Sequence, residues 1–275
     1  VIATNGSDMA IRYLLETFGE KGKEVVTVSP SFEMYWVNCK ILGFKHVPVC
    51  YENDFTIDVN FVIKAISDNT RIVVLLNPNN PIGNVYTEEE VKKVIERAKE
   101  VGAIVIIDEA YHYFYSETFL HYVLEEENVA ILRTFSKAFS LAALRIGTII
   151  SSPKIIEYVK RAKLTFDVNA VALLFAERLL EHPEIINELV SQEKEGKQYI
   201  LEMLKKNDYE CRDCNGNYIL LKPKHDVKWI EDKLKQNKIL IHTYSNNLLK
   251  EYIRVSVGSK RIMKFFVETL FEIDK

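Results

Sequence analysis

Two stretches of this chain carry apolar side chains with no polar alternation, IVVLL at 72–76 and AIVII at 103–107. A strand with one wet face alternates, so a run that does not alternate is covered on both faces, as in a parallel sheet held between helices. The segment separating the two supplies such a helix. Thr87 and, three residues on, Glu90 form a capping box, and an amphipathic run continues to Val101. A further strand signal, VAILRTF at 129–135, follows, and RIGTIIS at 145–151 leads back into the sheet. Strand and helix signals in alternation put this part of the chain in the α/β class, whose ligands bind at the carboxyl ends of the strands.

The residues standing at those ends carry chemistry. Leu76 runs into Asn77-Pro78-Asn79-Asn80-Pro81-Ile82-Gly83, a rigid, non-helical loop. Ile107 runs into Asp108-Glu109-Ala110-Tyr111. A carboxylate just past an apolar run has to meet a cation or a protonated nitrogen, because an unpaired buried charge is expensive. Phe135 delivers Ser136 and Lys137 to the same edge, with Arg145 further along. A lone lysine is ordinarily a solvated surface charge. Near the start, Asn5-Gly6-Ser7-Asp8 is a turn feeding a helix with Ser7 or Asp8 as its cap. Such a start is an anion site or simply a capped helix. Tyr35, in the helix expected over 31–42, is either core or an aromatic plate for a planar ligand. Together, in this order, the set suits pyridoxal phosphate. A lysine amine forms a Schiff base with an aldehyde, and an aspartate paired with the ring nitrogen makes the ring an electron sink. Asparagine and tyrosine can bond the ring oxygen, and a helix start with Ser136 and Arg145 can hold the phosphate.

Length allows one or two domains at 275 residues. After Pro153 the character changes to long helices, over 153–164, 168–180 and 183–207. Short strands follow at 209–212, 218–222, 239–243 and 252–257 around a helix at 227–236, and a helix at 261–271 closes the chain. The expected division is a large domain over 1–165 and a small α+β domain over 166–275. A net charge of −3 lacks the basic excess of nucleic-acid binders. The sequence shows neither a bilayer-length apolar run nor a signal sequence, so a cytoplasmic location without membrane or nucleic-acid partners is expected. Four cysteines are too few for a disulfide framework, and Cys211 and Cys214 lack the second ligand pair of a zinc site, so no metal is expected. The chain opens at Val1 immediately before a strand-turn-helix signal, which points to a missing upstream segment.

The motifs NGSD at 5–8, PSFEMY at 30–35, NPNNPIG at 77–83, DEAY at 108–111, RTFSKAF at 133–139, LRIG at 144–147, FDVNAVA at 166–172 and IRVSVG at 253–258 resemble those of the class I/II, fold-type I pyridoxal-phosphate aminotransferases. The histidinol-phosphate aminotransferase branch is the most similar. The resemblance implies a mostly parallel, seven-stranded-type sheet between helices, a smaller C-terminal domain and a homodimer. It implies that Ser7 and Asp8 offer amides to the cofactor phosphate and that Ser136 and Arg145 hold it. Tyr35 would stack on the ring, Asn80 and Tyr111 would bond the ring oxygen, and Asp108 would pair with the ring nitrogen. Lys137 would be the Schiff-base lysine and proton shuttle. Arg254 would bind a substrate carboxylate, with Asn169 lining the same pocket.

The sequence departs from the family pattern at several places. Ile82 replaces a usual threonine, and Ser140 and Ala143 replace two glycines. His242, in ILIHTY at 239–244, stands where relatives that bind a phosphorylated substrate carry arginine. A histidine is a weaker phosphate partner than a permanent, bidentate guanidinium. The family's N-terminal arm, which supplies a substrate lid and a tyrosine to the neighbouring subunit's cofactor, has no counterpart in the sequence. The expected activity is transfer of an amino group from an amino acid or amino alcohol, histidinol-phosphate-like or aromatic, to a 2-oxo acid. A threonine-phosphate decarboxylase, which shares these motifs, is the alternative.

Overall fold

In chain order the first part of the molecule runs β1 (Ile2–Asn5), α1 (Gly6–Phe18), β2 (Glu24–Ser29), α2 (Met34–Leu42), β3 (Lys45–Cys50), α3 (Val59–Ala65), β4 (Thr70–Leu76) and α4 (Glu88–Glu100). It continues through β5 (Ile104–Asp108), a short α5 (Tyr122–Glu125), β6 (Val129–Thr134), β7 (Ile146–Ser151), α6 (Pro153–Ala162) and α7 (Ala170–Glu181). The structure is a computed structural model and describes residues 1–275. Its first seven strands form one sheet in the order β1-β7-β6-β5-β4-β2-β3. Pairings from β6 through β3 are parallel, and β7 runs antiparallel to both neighbours.

Burial follows from the unalternating runs. Every residue of β5 is buried, as are nearly all of β4 and β6. One face packs Ile72, Val74, Ile106 and Leu132 against Ala10, Ile11, Leu14 and Leu15 of α1. Each Ile, Val or Leu among them contributes about 1.5–3 kcal/mol on burial. The opposite side carries α4, whose Val91, Val94, Ile95 and Ala98 are buried and whose Thr87–Glu90 capping box is fully formed.

Register places the chemistry. Asp108 is the last residue of β5 and pairs with Leu76 of β4 and Leu132 of β6. Thr134 pairs with Gly147, and Asn5 with Ile146. The proline loop, Asp108, Ser136-Lys137, Arg145 and the start of α1 therefore share one edge of the sheet.

Two helix starts differ from expectation. Asn5, and neither Ser7 nor Asp8, is the N-cap of α1, because Gly6 makes the turn with φ +74° and the helix begins there. Helix α2 begins at Met34 rather than Ser31, so Phe32 lies in the turn before it.

The chain divides into two compact units, Val1–Pro183 and Glu184–Lys275, a later boundary than residue 165. Side-chain contacts explain why 166–183 stays with the first unit. The buried Asp167 carboxylate accepts a hydrogen bond from the Tyr13 hydroxyl of α1 at 3.0 Å and pairs with Lys163. The second unit comprises α8 (Pro183–Lys206), β8 (Glu210–Asp213), β9 (Tyr218–Lys222), α9 (Val227–Gln236), β10 (His242–Thr243), β11 (Ile253–Ser256) and α10 (Lys260–Ile273). Its sheet is antiparallel, in the order β10-β11-β9-β8. Ile219, Leu221, Ile253 and Val255 of that sheet pack with Ile200, Leu204, Ile230, Leu234 and Phe266 of the helices. The strand expected over 239–243 shrinks to two residues because the Ile239 N–H turns back to the Leu234 carbonyl at the end of α9. No helix of the molecule is long and apolar enough to cross a membrane.

Candidate active site

A cavity of about 130 Å³ lies at the carboxyl edge of the first unit's sheet. Ser7, Asp8, Asn80, Asp108, Tyr111, Ser136, Lys137 and Arg145 line it together with Phe32, Leu76, Pro78, Ala110 and Thr134. Every cofactor residue expected from the sequence except Tyr35 is thus in one place.

At one end the Arg145 guanidinium pairs with the Asp8 carboxylate at 2.8 Å, beside the first turn of α1. Arg145 takes left-handed backbone, φ +55°, just before β7. Gly6 allows the guanidinium its position, since a Cβ there would stand 2.5 Å from Nη2. A permanent cation beside free helix N–H groups makes this end an anion site. Thr134, which sequence reasoning passed over, organises the approach to Ser136. Its hydroxyl accepts the Ser136 N–H at 3.1 Å and donates to the Ile146 carbonyl at 3.3 Å.

At the other end stands Asp108, 4% exposed. Its Oδ1 accepts the Ala110 N–H at 3.1 Å and its Oδ2 accepts the Tyr35 hydroxyl at 2.8 Å. Burial pushes its carboxyl up to about 6, against the pull of those two donors, with the Asp8 and Glu109 charges adding to the rise. At neutral pH it is still mostly an anion. Neighbouring Glu109 is a fixed anchor: Arg133 donates two hydrogen bonds to it, and the Thr118 hydroxyl and Phe119 N–H add others.

Between the ends, the Lys137 ammonium lies over the Tyr111 ring, 5.6 Å from its centroid. The three asparagines of the proline loop divide their tasks. Asn77 accepts the Tyr86 N–H, and Asn79 is tied to Ser31 and the Pro30 carbonyl, so both hold the loop. Asn80 lines the cavity. Ile82 is fully buried, an apolar anchor for the same loop.

Two expected site residues, Tyr35 and Asn169, are not among those lining this cavity. Tyr35 is not an aromatic plate: it is fully buried with its hydroxyl bound to Asp108, and Phe32, released by the later helix start, lines the cavity instead. Asn169 does not line this cavity. It is exposed, and its side-chain oxygen caps α7 through the Ala172 N–H at 2.8 Å. His242 and Arg254 belong to the second unit, where they are direct cross-strand partners on β10 and β11. The Arg254 guanidinium lies over the Tyr218 ring, 5.3 Å from its centroid.

The sequence model of the family described as aminotransferase class I and II matches residues 1–270. The chain belongs to this family. It is 33% identical over 262 residues to histidinol-phosphate aminotransferase of Clostridium novyi, covering 94% of this chain and 72% of that protein. It is 31% identical over 277 residues to the same-named protein of Clostridium kluyveri, covering 100% and 78%. The fold is similar to the crystal structure of histidinol-phosphate aminotransferase from Clostridium acetobutylicum, with a TM-score of 0.90 at 23% identity over 99% of this chain and 83% of that one. The Sinorhizobium meliloti histidinol-phosphate aminotransferase, solved in complex with pyridoxal 5′-phosphate, gives 0.89 at 22% identity, covering 98% and 75%. The chain is a pyridoxal-phosphate-dependent aminotransferase of the fold-type I architecture.

The cavity fits that cofactor. A guanidinium and a helix start at one end would suit its phosphate, and a buried carboxylate that needs a proton-bearing partner at the other would suit its ring nitrogen. A lysine amine lines the space between.

Proposed function

We propose that the chain transfers an amino group from an amino acid or amino alcohol, of histidinol-phosphate-like or aromatic character, to a 2-oxo acid. The observation carrying this reading is that Lys137 shares one cavity with Asp108, Asn80, Tyr111, Ser136 and Arg145. The names of the Clostridium relatives support the donor class.

Bound pyridoxal phosphate supplies an electron sink for the negative charge that develops at the substrate Cα. The chain's own groups do the rest. Arg145, Ser136 and the first turn of α1 hold the phosphate, and Phe32 flanks the ring. Asn80 and the Tyr111 hydroxyl orient the ring oxygen, while the Asp108 carboxylate keeps the ring nitrogen protonated. Lys137 would carry the cofactor between turnovers and, with its Nζ neutral, would take the substrate Cα proton and deliver it to the cofactor's C4′ carbon, a 1,3-shift across the amino nitrogen. Arg254 binds the substrate carboxylate or the equivalent polar group of an amino alcohol. His242 beside it would read a second anionic group as a titrating, monodentate partner. The chain works in the cytoplasm as a homodimer, a reading supported by the exposed apolar residues Val171, Leu174, Phe175 and Leu180 on α7.

A panel of histidinol phosphate, phenylalanine, tyrosine and threonine phosphate, each with 2-oxoglutarate, tests the substrate reading. Amino transfer from histidinol phosphate or an aromatic donor is expected, and Arg254→Ala should raise KM about tenfold or more for donors bearing a carboxylate. Carbon dioxide release from threonine phosphate without oxo-acid turnover would overturn it in favour of decarboxylation.

A further inference from the structure

Phe32 and Tyr35 stand three residues apart at the start of α2, and only Phe32 reaches the cavity. Tyr35 lies behind the cavity wall, 2% exposed, with its hydroxyl donating to Asp108 Oδ2 at 2.8 Å. We infer that Tyr35 is a positioning residue for the reaction, one that fixes the Asp108 carboxylate as an oriented anion ready for the ring nitrogen while touching neither cofactor nor substrate. The inference rests on the reading of Asp108 as the ring-nitrogen partner.

Asp108 is charged in an unfavourable place, and the groups facing it divide into two sets. Two donors favour the anion: the Tyr35 hydroxyl from α2 and the Ala110 N–H from the residues following β5. Two acids oppose it, Asp8 from the first turn of α1 and Glu109 next in sequence. Each acid has its own cation, Arg145 for Asp8 and Arg133 for Glu109. Burial acts in the same direction as the two acids. The Tyr35 hydroxyl is therefore one of two contacts holding the charge, and it alone engages Oδ2 among the side chains in hydrogen-bond contact.

Removing that hydroxyl leaves a buried carboxylate oxygen against an apolar ring edge, and the proton becomes harder to remove. A neutral Asp108 cannot serve as the anion for a protonated ring nitrogen. Its two oxygens also lose the difference between them that sets the plane of the carboxylate. A tyrosine that merely filled the core would affect stability and leave the titration of Asp108 unmoved.

The test is equilibrium binding of pyridoxal phosphate to the full chain across the range from about pH 5 to about pH 9, with thermal unfolding in parallel, for the wild type, Tyr35→Phe, Asp108→Asn and the double variant. Tyr35→Phe is expected to fold, to bind the cofactor several-fold to about tenfold more weakly near neutrality, and to move the acidic limb of the affinity profile upward by up to about one pH unit. Asp108→Asn should bind weakly with no such limb, and adding Tyr35→Phe to it should change the profile no further. An unmoved limb in Tyr35→Phe, whatever its melting temperature, overturns the role given to Tyr35. If Asp108→Asn keeps wild-type affinity and the wild-type limb, the reading of Asp108 itself fails, a result distinct from the first.

Discussion

Asp108 carries a penalty that its surroundings only partly offset, and that penalty has a pH signature of its own. An aspartate titrates near 3.9 in an unfolded chain, and burial lifts Asp108 to about 6 in the fold. The folded state thus binds the proton more tightly than the unfolded one. Between about pH 4 and pH 6 this group lowers stability as pH rises, and above about pH 6 the full penalty stands. Asparagine cannot ionise. Without cofactor, Asp108→Asn should be more stable than the wild type by about 2–3 kcal/mol near pH 7–8, with the difference vanishing near pH 4, as followed by urea unfolding. Parallel profiles at all pH values would contradict the burial account. At this scale Asp108, Asn80, Lys137 and Arg145 were legible because each follows a strand or loop signal at a known edge. Tyr35 and Phe32 were not. Their roles exchange when the start of α2 moves from Ser31 to Met34, and no local signal in PSFEMY distinguishes those two starts.

At the scale of elements, the first turn of α1 and the first residues of β7 have to touch for the phosphate end to form. Gly147 permits this. A Cβ at that position would stand 2.5 Å from the Ser7 nitrogen and 2.6 Å from the Gly6 carbonyl carbon, backbone atoms that cannot rotate aside. Gly147→Ala should cost about 1–3 kcal/mol through overpacking. It should also weaken cofactor binding by tenfold or more, because the displaced amides are those proposed to face the phosphate. Melting temperature and cofactor affinity measured together check both effects. A variant with wild-type affinity would show that the close approach is dispensable. Element types followed from the unalternating strands and amphipathic helices, whereas two ends did not. The α1 cap depends on the backbone angle of Gly6, and β10 is shortened by an N–H that turns back to a carbonyl of α9; both are backbone events that the side-chain pattern does not mark.

For the whole molecule, the division into units could not be read from composition, because the change to long helices near residue 153 precedes the physical boundary after Pro183. The link of Tyr13 to Asp167, distant in sequence, keeps that segment with the first unit. The same first unit gathers onto one sheet edge residues drawn from positions 7 to 145, and the proposed aminotransferase site rests on that gathering. On the proposed reading, Lys137 is the residue that carries pyridoxal phosphate. Reduction with borohydride in the presence of the cofactor, followed by digestion and mass mapping, tests this directly. The cofactor's mass should appear on the peptide containing Lys137 and on no other, and Lys137→Ala should take up none while keeping the wild-type melting temperature; label on a different lysine, or none on the wild type, would contradict it.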